Sequence, residues 1–488
     1  MRISQATGFI ILLILIGSCN PGTKTELQVS DNAILLNHGA IVDVRDGALL
    51  ENRAILIDSG MILAIGHYTD LQALVNPENE IDITGKYIIP GLWDMHIHLE
   101  GQDLVADNLA LLPVFIAYGI TTVRDMASDL GEQVLAWRGE IEEDKQLGPQ
   151  IFTAGRKLEG INSIWKGDLE IANEKELAEM LDTLEGYKVD LVKITENTLS
   201  GELFLTSVRE AKKRGFRVSG HVPMDLTIQE VVDAGFSSIE HASYLLRLGA
   251  DEKRIVEQLR TGEISAAGAR EYYSDAFNQQ KANLAYRELS KTGIAVTPTL
   301  IGGKQLAFLD ENDHSRDLFL DYLTQRFTAN YQWRINRMAH ETPQQKQERK
   351  DRYALTAKQV YYLNQAGIKL LAGSDAAALN TYVYPALSLH QELVLFQEAG
   401  LTPLEILQSA TINGAEFMGV LSQKATVEEH KEADLVILNS NPLLDIKATQ
   451  DIFAVVNDGR YFNRQDLDSL LQKARERKAQ LDRERESL

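Results

Sequence analysis

Two histidines separated by one residue are the first feature of the sequence that could do chemistry. His96 and His98 end the apolar run Gly91–His98, which is typical of a buried strand. Alternate residues of a strand point to the same face, so the two imidazoles would project together. Neutral imidazole is a good ligand for zinc and similar divalent ions. The pair therefore predicts a metal site, although core or surface histidines are the usual explanation of such a pair taken alone.

Polar residues follow four further apolar runs along the chain. They are Lys193, His221, His241 and Asp375, and each stands where a predicted strand ends. Buried charges are costly without partners, so the recurrence of such residues at strand ends favours a shared metal centre over simple packing. For Lys193 the alternative is a salt-bridged lysine, because structural ion pairs also hold residues of this kind.

The elements that must position these residues are strands alternating with helices. Short apolar runs begin near Leu92, Ile120, Gln150, Val189, Arg217, Ser237, Ala295 and Ile368. Segments with helical periodicity separate them, among them Glu174–Leu184 and Thr206–Arg214. We interpret the pattern as an α/β fold, a (β/α)8 TIM-type barrel over residues 90–414 with its reactive groups at the C-terminal ends of the strands.

Both flanks of this region carry strand-and-turn patterns. Residues 33–89 and 415–464 contain short apolar runs broken by glycines, and we expect them to form one small β-sandwich domain. A polar, helix-prone stretch, Asp310–Arg352, predicts a helical insertion beside the barrel mouth. Residues 465–488 are rich in charge and predict a solvated helix or tail.

The N-terminal residues resemble an export signal. Arg2 precedes an apolar run that is too short to span a membrane, and Ile16–Cys19 resembles a bacterial lipobox. We expect residues 1–19 to be a lipoprotein signal peptide, Cys19 to carry the lipid, and residues 20–32 to form a tether. The protein would then be exported and anchored to a membrane. An ordinary signal peptide that happens to contain a cysteine is the alternative.

Composition narrows the classes of partner. The formal charge is −21, which would repel phosphate backbones, so we expect no nucleic-acid partner. Cys19 is the only cysteine, which excludes a disulfide or a thiolate-rich metal site within the chain. We expect a small-molecule substrate, and a homo-oligomer is compatible with the sequence.

The ordered set of His-x-His, Lys, His, His and Asp resembles the amidohydrolase superfamily. Within it, the chain is similar to the imidazolonepropionase-like group that includes relatives of Xaa-Pro dipeptidase (prolidase). The resemblance runs from about Ala33 to Arg460 and includes Gly85–Gly91, Gly400–Glu405 and Ala410–Ala415.

The resemblance implies a centre with two divalent metal ions of the zinc type. It assigns His96, His98 and Asp375 to one metal, His221 and His241 to the second, and Lys193 to a bridge between them as a carboxylated lysine. An unmodified lysine would imply a single metal. Two ions about 3.5–4 Å apart can lower the pKa of a bound water toward about 7, so a metal-bound hydroxide would attack the substrate. Asp375 would be the catalytic residue that orients the hydroxide and carries its proton to the leaving amine.

Three further residues are candidates for substrate contact. Trp165, in the loop after the third strand, could line the mouth or simply be exposed, and Tyr244, three residues after His241, has the same two interpretations. His390 could touch substrate or support the site, or could cap or pack a helix. In some dipeptidase relatives a second histidine follows the fifth-strand ligand, whereas here His221 is followed by Val222–Pro223, which weighs against a strict prolidase.

The function that we infer is hydrolysis of a C–N bond in a small amide, cyclic amide or dipeptide. One alternative is an esterase, lactonase or phosphotriesterase, because the same hydroxide can attack other electrophiles. Another is a non-catalytic surface binding protein on the same barrel, although every predicted ligand is present. Deamination at a mononuclear site is less favoured, because such a site would not need Lys193.

Overall fold

The computed structural model describes residues 27–486. The predicted signal peptide with Cys19, and the first part of the tether, lie outside these residues. Within them, every helix is too short or too polar to cross a lipid bilayer.

The strands fall into a flanking set near the two ends of the chain and a parallel set between them. The flanking strands are β1 (Ile34–Val42), β2 (Leu49–Asp58), β3 (Met61–Gly66), β4 (Glu80–Asp82), β5 (Tyr87–Pro90), β16 (Leu435–Leu438), β17 (Ile452–Asn457) and β18 (Arg460–Asn463). The parallel strands are β6 (Leu92–Ile97), β7 (Ile120–Asp125), β8 (Gln150–Thr153), β9 (Leu158–Gly160), β10 (Leu169–Ile171), β11 (Leu191–Ile194), β12 (Arg217–Gly220), β13 (Ser238–Glu240), β14 (Ala295–Thr297) and β15 (Lys369–Leu370).

The flanking strands form one continuous sheet. Its order is β18-β17-β16-β5-β1-β2-β3, with β4 also pairing with β1. Strand β5 joins the two ends of the chain, because Ile88 lies opposite Ile41 of β1 in parallel register and opposite Ile437 of β16 in antiparallel register. The two segments therefore form one continuous hydrogen-bonded sheet, and strands from its two ends share one core, which contains Ile57 of β2 and Val456 of β17.

The parallel strands form two sheets whose edges lie close together. Their orders are β6-β7-β8 and β10-β9-β11-β12-β13-β14-β15. Backbone hydrogen bonds connect the two sheets at β6 and at β8, from Met95 N to Ala372 O (2.8 Å) and from Asp190 N to Thr153 O (3.0 Å). Each run predicted from the sequence contains one of these strands, whereas β9 and β10 form in a region that we predicted as a loop. The fold is α/β with parallel sheets.

Helices connect the strands and cover their outer side. They are α1 (Tyr68–Leu71), α2 (Val105–Ala117), α3 (Gly131–Glu142), α4 (Glu174–Gly186), α5 (Gly201–Lys213), α6 (Ile228–Ala234), α7 (Glu252–Arg260), α8 (Ala266–Asp275), α9 (Gln279–Ser290), α10 (Leu300–Ala307), α11 (Gln325–Ala329), α12 (Gln332–Met338), α13 (Pro343–Gln365), α14 (Leu387–Ala399), α15 (Pro403–Ser409), α16 (Ile412–Met418) and α17 (Arg464–Glu486). Short 3₁₀ helices span Gln72–Leu74, Pro77–Asn79, Ala242–Gly249, His314–Arg316, Leu318–Tyr322 and Ile446–Gln450. Several helices begin at a side-chain cap, as where Thr342 and Gln345 form a capping box at the start of α13.

The stretch Asp310–Arg352 is helical, as its composition indicated, and holds α11, α12 and the first part of α13. It is tied to the loop that follows β15, because Arg334 Nε donates to Leu379 O (3.0 Å) and Thr381 Oγ1 donates to Tyr331 O (3.1 Å). These bonds fix the insertion beside the C-terminal ends of the strands.

The C-terminal segment is a docked helix. Leu467, Ala474 and Leu481 recur every seven residues along α17 and are all buried. Arg475 also donates to the hydroxyl of Tyr322 (2.9 Å). The segment is therefore the helix that the sequence indicated, with most of its residues exposed, but its few apolar residues form one face that packs against the protein.

Candidate active site

Two histidines and an aspartate meet where β6 and β15 end. The Nε2 atoms of His96 and His98 lie 3.3 Å apart. Oδ1 of Asp375 lies 3.4 Å from Nε2 of His96 and 3.3 Å from Nε2 of His98. Potential ligand atoms of these three residues all lie within 4.8 Å of one another, so they could hold one metal ion.

The backbone around Asp375 is held in an uncommon conformation. Its φ is 58°, and its N–H donates to the carbonyl of His96 at 2.6 Å. The side chain of Asn380 donates to the carbonyl of Asp375, also at 2.6 Å. These bonds turn the carboxylate toward the two histidines across the gap between the strands.

A second pair of histidines lies beside the first group. His221 follows β12 and His241 follows β13, and their Nε2 atoms are 3.1 Å apart. Nδ1 of His241 is 4.0 Å from Oδ2 of Asp375. Lys193, on β11, places Nζ 3.5 Å from Nε2 of His96. The structure thus brings all six predicted residues into one cluster.

The four imidazoles share one orientation. In each, Nδ1 faces a neighbouring oxygen and Nε2 faces the cluster. The Nδ1 partners are Glu240 for His96 (2.8 Å), Ala127 O for His98 (2.7 Å), Glu196 for His221 (2.9 Å) and Thr299 for His241 (2.7 Å). Outer acceptors of this kind fix the ring and leave the other nitrogen free to bind a cation.

Burial sets the charges in the cluster. It lowers the pKa of His96 well below its ordinary value and that of His241 to about 4, so both rings are neutral near pH 7. Burial also lowers the pKa of Lys193 to about 8. For Asp375, burial acts in the opposite direction, but His96 and the other nearby imidazoles lower its pKa overall, so the carboxylate is ionised.

The donor set fits divalent cations. The Nε2 atoms of His221 and His241 lie 3.1 Å apart, and two imidazole nitrogens at this distance are held together only by a proton or a cation between them. The depressed pKa of His241 disfavours the proton. Nitrogen and carboxylate ligands around one point are the combination that zinc-type ions prefer.

A buried ion pair lies behind His96 and was not predicted from the sequence. Arg124, on β7, places Nη2 3.0 Å from both carboxylate oxygens of Glu240, and neither side chain is exposed. Arg124 Nε also donates to Met95 O. The signal available in the sequence was a charged residue inside each of two apolar runs, Arg124 in Ile120–Asp125 and Glu240 before His241.

A second carboxylate, Glu196, supports His221. Its Oε1 accepts from the hydroxyl of Tyr244 (2.7 Å), and its Oε2 faces Nδ1 of His221 (2.9 Å). Burial opposes ionisation of Glu196, but His221 and Tyr244 lower its pKa to about 2. Tyr244, a predicted substrate residue, therefore lies beside the cluster with its hydroxyl committed to Glu196. Glu196 was missed, although it stands three residues after Lys193.

The other two substrate candidates do not join the cluster. Trp165 is half-buried and packs edge to face against Trp333 of α12, with ring centroids 5.7 Å apart. His390, on α14, is buried, with Nδ1 3.0 Å from Thr449 Oγ1 and Nε2 2.9 Å from Tyr118 O. Both ring nitrogens of His390 therefore have partners outside the cluster, which favours the interpretation that His390 packs a helix over the interpretation that it contacts substrate.

A cavity of about 380 Å³ opens beside the cluster. His241 and Asp375 line one side, and residues of α10 and α13 line the other. A small molecule in this cavity would contact the candidate metal ligands directly, so the cavity is the candidate substrate pocket.

Curated relatives match different extents of the chain. Adenine deaminase of Listeria innocua serovar 6a is 25% identical over 256 residues, which cover 49% of this chain and 40% of that protein. The chain thus spans less than half the length of that relative. Ochratoxinase of Aspergillus niger is 23% identical over 468 residues, covering 84% of this chain and 82% of that protein.

Solved structures share the fold over nearly the whole chain. Bottromycin amidohydrolase superimposes with a TM-score of 0.70 at 20% identity, covering 92% of this chain and 91% of that one. A putative prolidase from Bifidobacterium longum gives a TM-score of 0.62 at 23% identity, covering 91% and 98%. A model of the amidohydrolase family matches residues 87–464, which is well over half of the chain. The chain therefore belongs to the amidohydrolase family of hydrolases.

Proposed function

We propose that the protein hydrolyses a C–N bond in a small amide, cyclic amide or dipeptide at a centre for two divalent cations of the zinc type. The observation that carries the proposal is the arrangement of the four histidines, each of which places Nδ1 against an oxygen atom outside the cluster. His96 and His98 turn Nε2 toward Asp375, and His221 and His241 turn Nε2 toward each other. The names of the similar amidohydrolase and prolidase structures support this class of reaction.

In this proposal the ligands divide into two groups joined by Lys193. His96, His98 and Asp375 would hold one cation, and His221 and His241 the other. Two bound cations would supply positive charge that acidifies water and polarises a carbonyl group. The neutral amine of Lys193, favoured by its lowered pKa, would attack carbon dioxide, form a new N–C bond and lose a proton. The resulting carbamate would offer two oxygens that share one negative charge in place of a cationic ammonium.

Asp375 has the position and charge for proton transfer. Its carboxylate is ionised and borders the cavity, so it can accept the proton of the attacking water. It would then donate that proton to the nitrogen that leaves as an amine. Glu240 and Glu196 would keep His96 and His221 in their orientations throughout the reaction.

The architecture that we propose for this chemistry is a single (β/α)8 barrel over residues 90–414. Support comes from the backbone bonds between the two parallel sheets and from a further parallel bridge between Ile97 and Ala376. The flanking sheet, residues 33–89 and 415–464, would then form the second domain.

The first test is the metal content of the purified full-length chain. We expect about two zinc-type ions per chain in the parent and in Lys175→Ala, whose lysine is exposed on α4, and a clear loss in Lys193→Ala. Plasma mass spectrometry gives the ratio of metal to protein. Metal content that is the same in all three proteins would overturn the bridging role of Lys193.

A substrate panel then separates the alternatives. Dipeptides, N-acyl amino acids and cyclic amides should be hydrolysed faster than esters, lactones or phosphotriesters, and adenine should release no ammonia. Faster ester, lactone or phosphotriester hydrolysis would favour that rival activity. Stoichiometric metal without turnover of any compound would favour a surface binding protein.

Export and lipid attachment at Cys19 are a separate proposal, which rests on the lipobox-like Ile16–Cys19. Labelled palmitate fed to bacteria that express the full chain should be incorporated into the parent and not into Cys19→Ser. Equal labelling of the two proteins would contradict the anchor, whereas secretion without any label would favour an ordinary signal peptide.

A further inference from the structure

The cavity beside Asp375 is lined by three arginines of the helical insertion, namely Arg334, Arg349 and Arg352. Their environments differ. Arg349 is neutralised by Glu341 (2.9 Å) and Asp310 (3.3 Å). The charge of Arg349 is therefore already balanced by carboxylates of the insertion.

Among residues 27–486, the direct hydrogen bonds of the Arg334 side chain go to neutral acceptors. Its Nε donates to Leu379 O (3.0 Å) and its Nη2 to Oδ1 of Asn380 (2.5 Å). The side chain is half-buried, and among residues 27–486 it forms no ion pair. Asp375 and Glu100 attract this guanidinium electrostatically without a direct ion pair. A guanidinium that is partly removed from water and donates its hydrogen bonds to neutral acceptors therefore gains from a carboxylate that enters the cavity.

Arg352 is free of side-chain partners in the part of the chain that the structure describes. It lies on α13 with an exposed side chain, next to Tyr353, which lines the same cavity. Leu300, Leu306 and Val383 line the same cavity and give it apolar surface. The pocket thus offers positive charge, apolar surface and two of the candidate metal ligands in one space.

We propose that the substrate is an amide that carries a carboxylate, and that Arg352 and Arg334 bind this carboxylate while the scissile bond lies at Asp375. The inference rests on the proposed hydrolase function and names the class of its substrate. Guanidinium groups match carboxylates with two parallel hydrogen bonds. Because the chain as a whole carries a charge of −21, a local group of cations is needed to attract an anionic substrate.

The kinetic test compares matched substrates of the metal-loaded full chain. N-acetyl amino acids and their C-terminal carboxamides, with glycine, leucine, proline and phenylalanine as the amino acid, are assayed by release of acetate. The parent should prefer the acid, and the ratio of kcat/KM for acid to carboxamide should fall about tenfold in Arg352→Gln, the loss expected for one charge-assisted hydrogen bond. Arg337→Gln is the control, because Arg337 is exposed on α12 and does not line the cavity.

Binding gives a second readout that needs no turnover. Titration calorimetry of the metal-loaded chain with 4-methylpentanoate and with 4-methylpentanamide should show tighter binding of the acid. That preference should weaken in Arg352→Gln and Arg334→Gln, and persist in Arg337→Gln. The Arg352→Gln result is the decisive one, because Arg334 also donates a hydrogen bond to Leu379 O, so that Arg334→Gln could change the loop as well as the charge.

The outcomes separate this inference from the hydrolase proposal. Hydrolysis of acid and carboxamide at equal rates by the parent would overturn the carboxylate site and leave the hydrolase standing. Binding of the acid that is equally tight in the parent and in Arg352→Gln would place the carboxylate elsewhere and also overturn it. Arginine-dependent binding without hydrolysis of any amide would support the carboxylate site and count against the hydrolase.

Discussion

Arg124 Nη2 lies 3.0 Å from both carboxylate oxygens of Glu240, and both side chains are completely shielded from solvent. The same carboxylate faces Nδ1 of His96 at 2.8 Å. One buried anion therefore balances the arginine inside the sheet and orients a candidate metal ligand.

Loss of this anion should destabilise the fold. In Glu240→Gln, Arg124 would stay buried without a counter-ion, and we expect the free energy of unfolding to fall by about 3–5 kcal/mol. Urea unfolding followed by circular dichroism measures the change. Glu257→Gln, at an exposed position on α7, is the control and should have the same free energy of unfolding as the parent. The same free energy of unfolding in Glu240→Gln and the parent would show that the ion pair does not stabilise the fold.

Glu196 should affect metal binding more than folding. Its carboxylate fixes His221, so Glu196→Gln should lower zinc affinity about 10–100-fold, and Tyr244→Phe should have a smaller effect in the same direction. Competition with a chromophoric chelator gives the affinity. Glu202→Gln, exposed near the start of α5, is the control. A Tyr244→Phe variant that changed only KM would instead favour direct contact between Tyr244 and substrate.

Asp375 should be required for turnover. Asp375→Asn removes the proton acceptor, and we expect kcat on the preferred amide to fall at least about 10²–10⁴-fold, the range for one general base. Rates are compared at matched metal occupancy, because the carboxylate is also a candidate ligand. Asp233→Asn, exposed on α6, should retain the parent rate. A fully metallated Asp375→Asn protein with normal kcat would assign proton transfer to another group.

His390 should make the fold sensitive to acid. Burial lowers its pKa to about 4, below the value of about 6.5 for an unfolded chain. Because the folded pKa is the lower one, this contribution is complete above about pH 6.5 and is lost as pH falls toward about pH 4.

Lowering the pH should therefore reduce the free energy of unfolding more in the parent than in His390→Gln. Between about pH 7 and pH 5 the parent should lose about 2 kcal/mol more stability than the variant. The measurement is urea unfolding at both pH values. His340→Gln, at an exposed position, should follow the parent, and parallel curves for His390→Gln and the parent would show that His390 does not titrate on unfolding.

The candidate ligands could be predicted from the sequence because each stands where an apolar run ends. Strand periodicity and parallel order bring such positions to one edge, as with His96 and His241. Partners across the sheet carry no local pattern, so the pairing of Arg124 with Glu240 became visible only in three dimensions. For His390, the sequence suggested a possible contact with substrate that the structure does not favour. Nothing in its sequence context showed that Thr449 and Tyr118 would bind both ring nitrogens.

The sequence predicted which segments form the flanking sheet, but it did not predict which of their strands pair. Apolar runs marked most of its strands, yet nothing local indicated that β5 would pair on both edges. The apolar repeat of Leu467, Ala474 and Leu481 was present in the sequence, and charge alone led to the expectation of a solvated segment.

The double pairing of β5 also orders events during synthesis. One edge of β5 can pair with β1 as soon as both have been made, but the other edge must wait for β16, which follows the whole parallel region. An open edge is a template for unwanted pairing with other chains. The N-terminal segment therefore stays vulnerable to aggregation until the last part of the chain arrives, and a truncation before Leu435 would leave that vulnerability permanent.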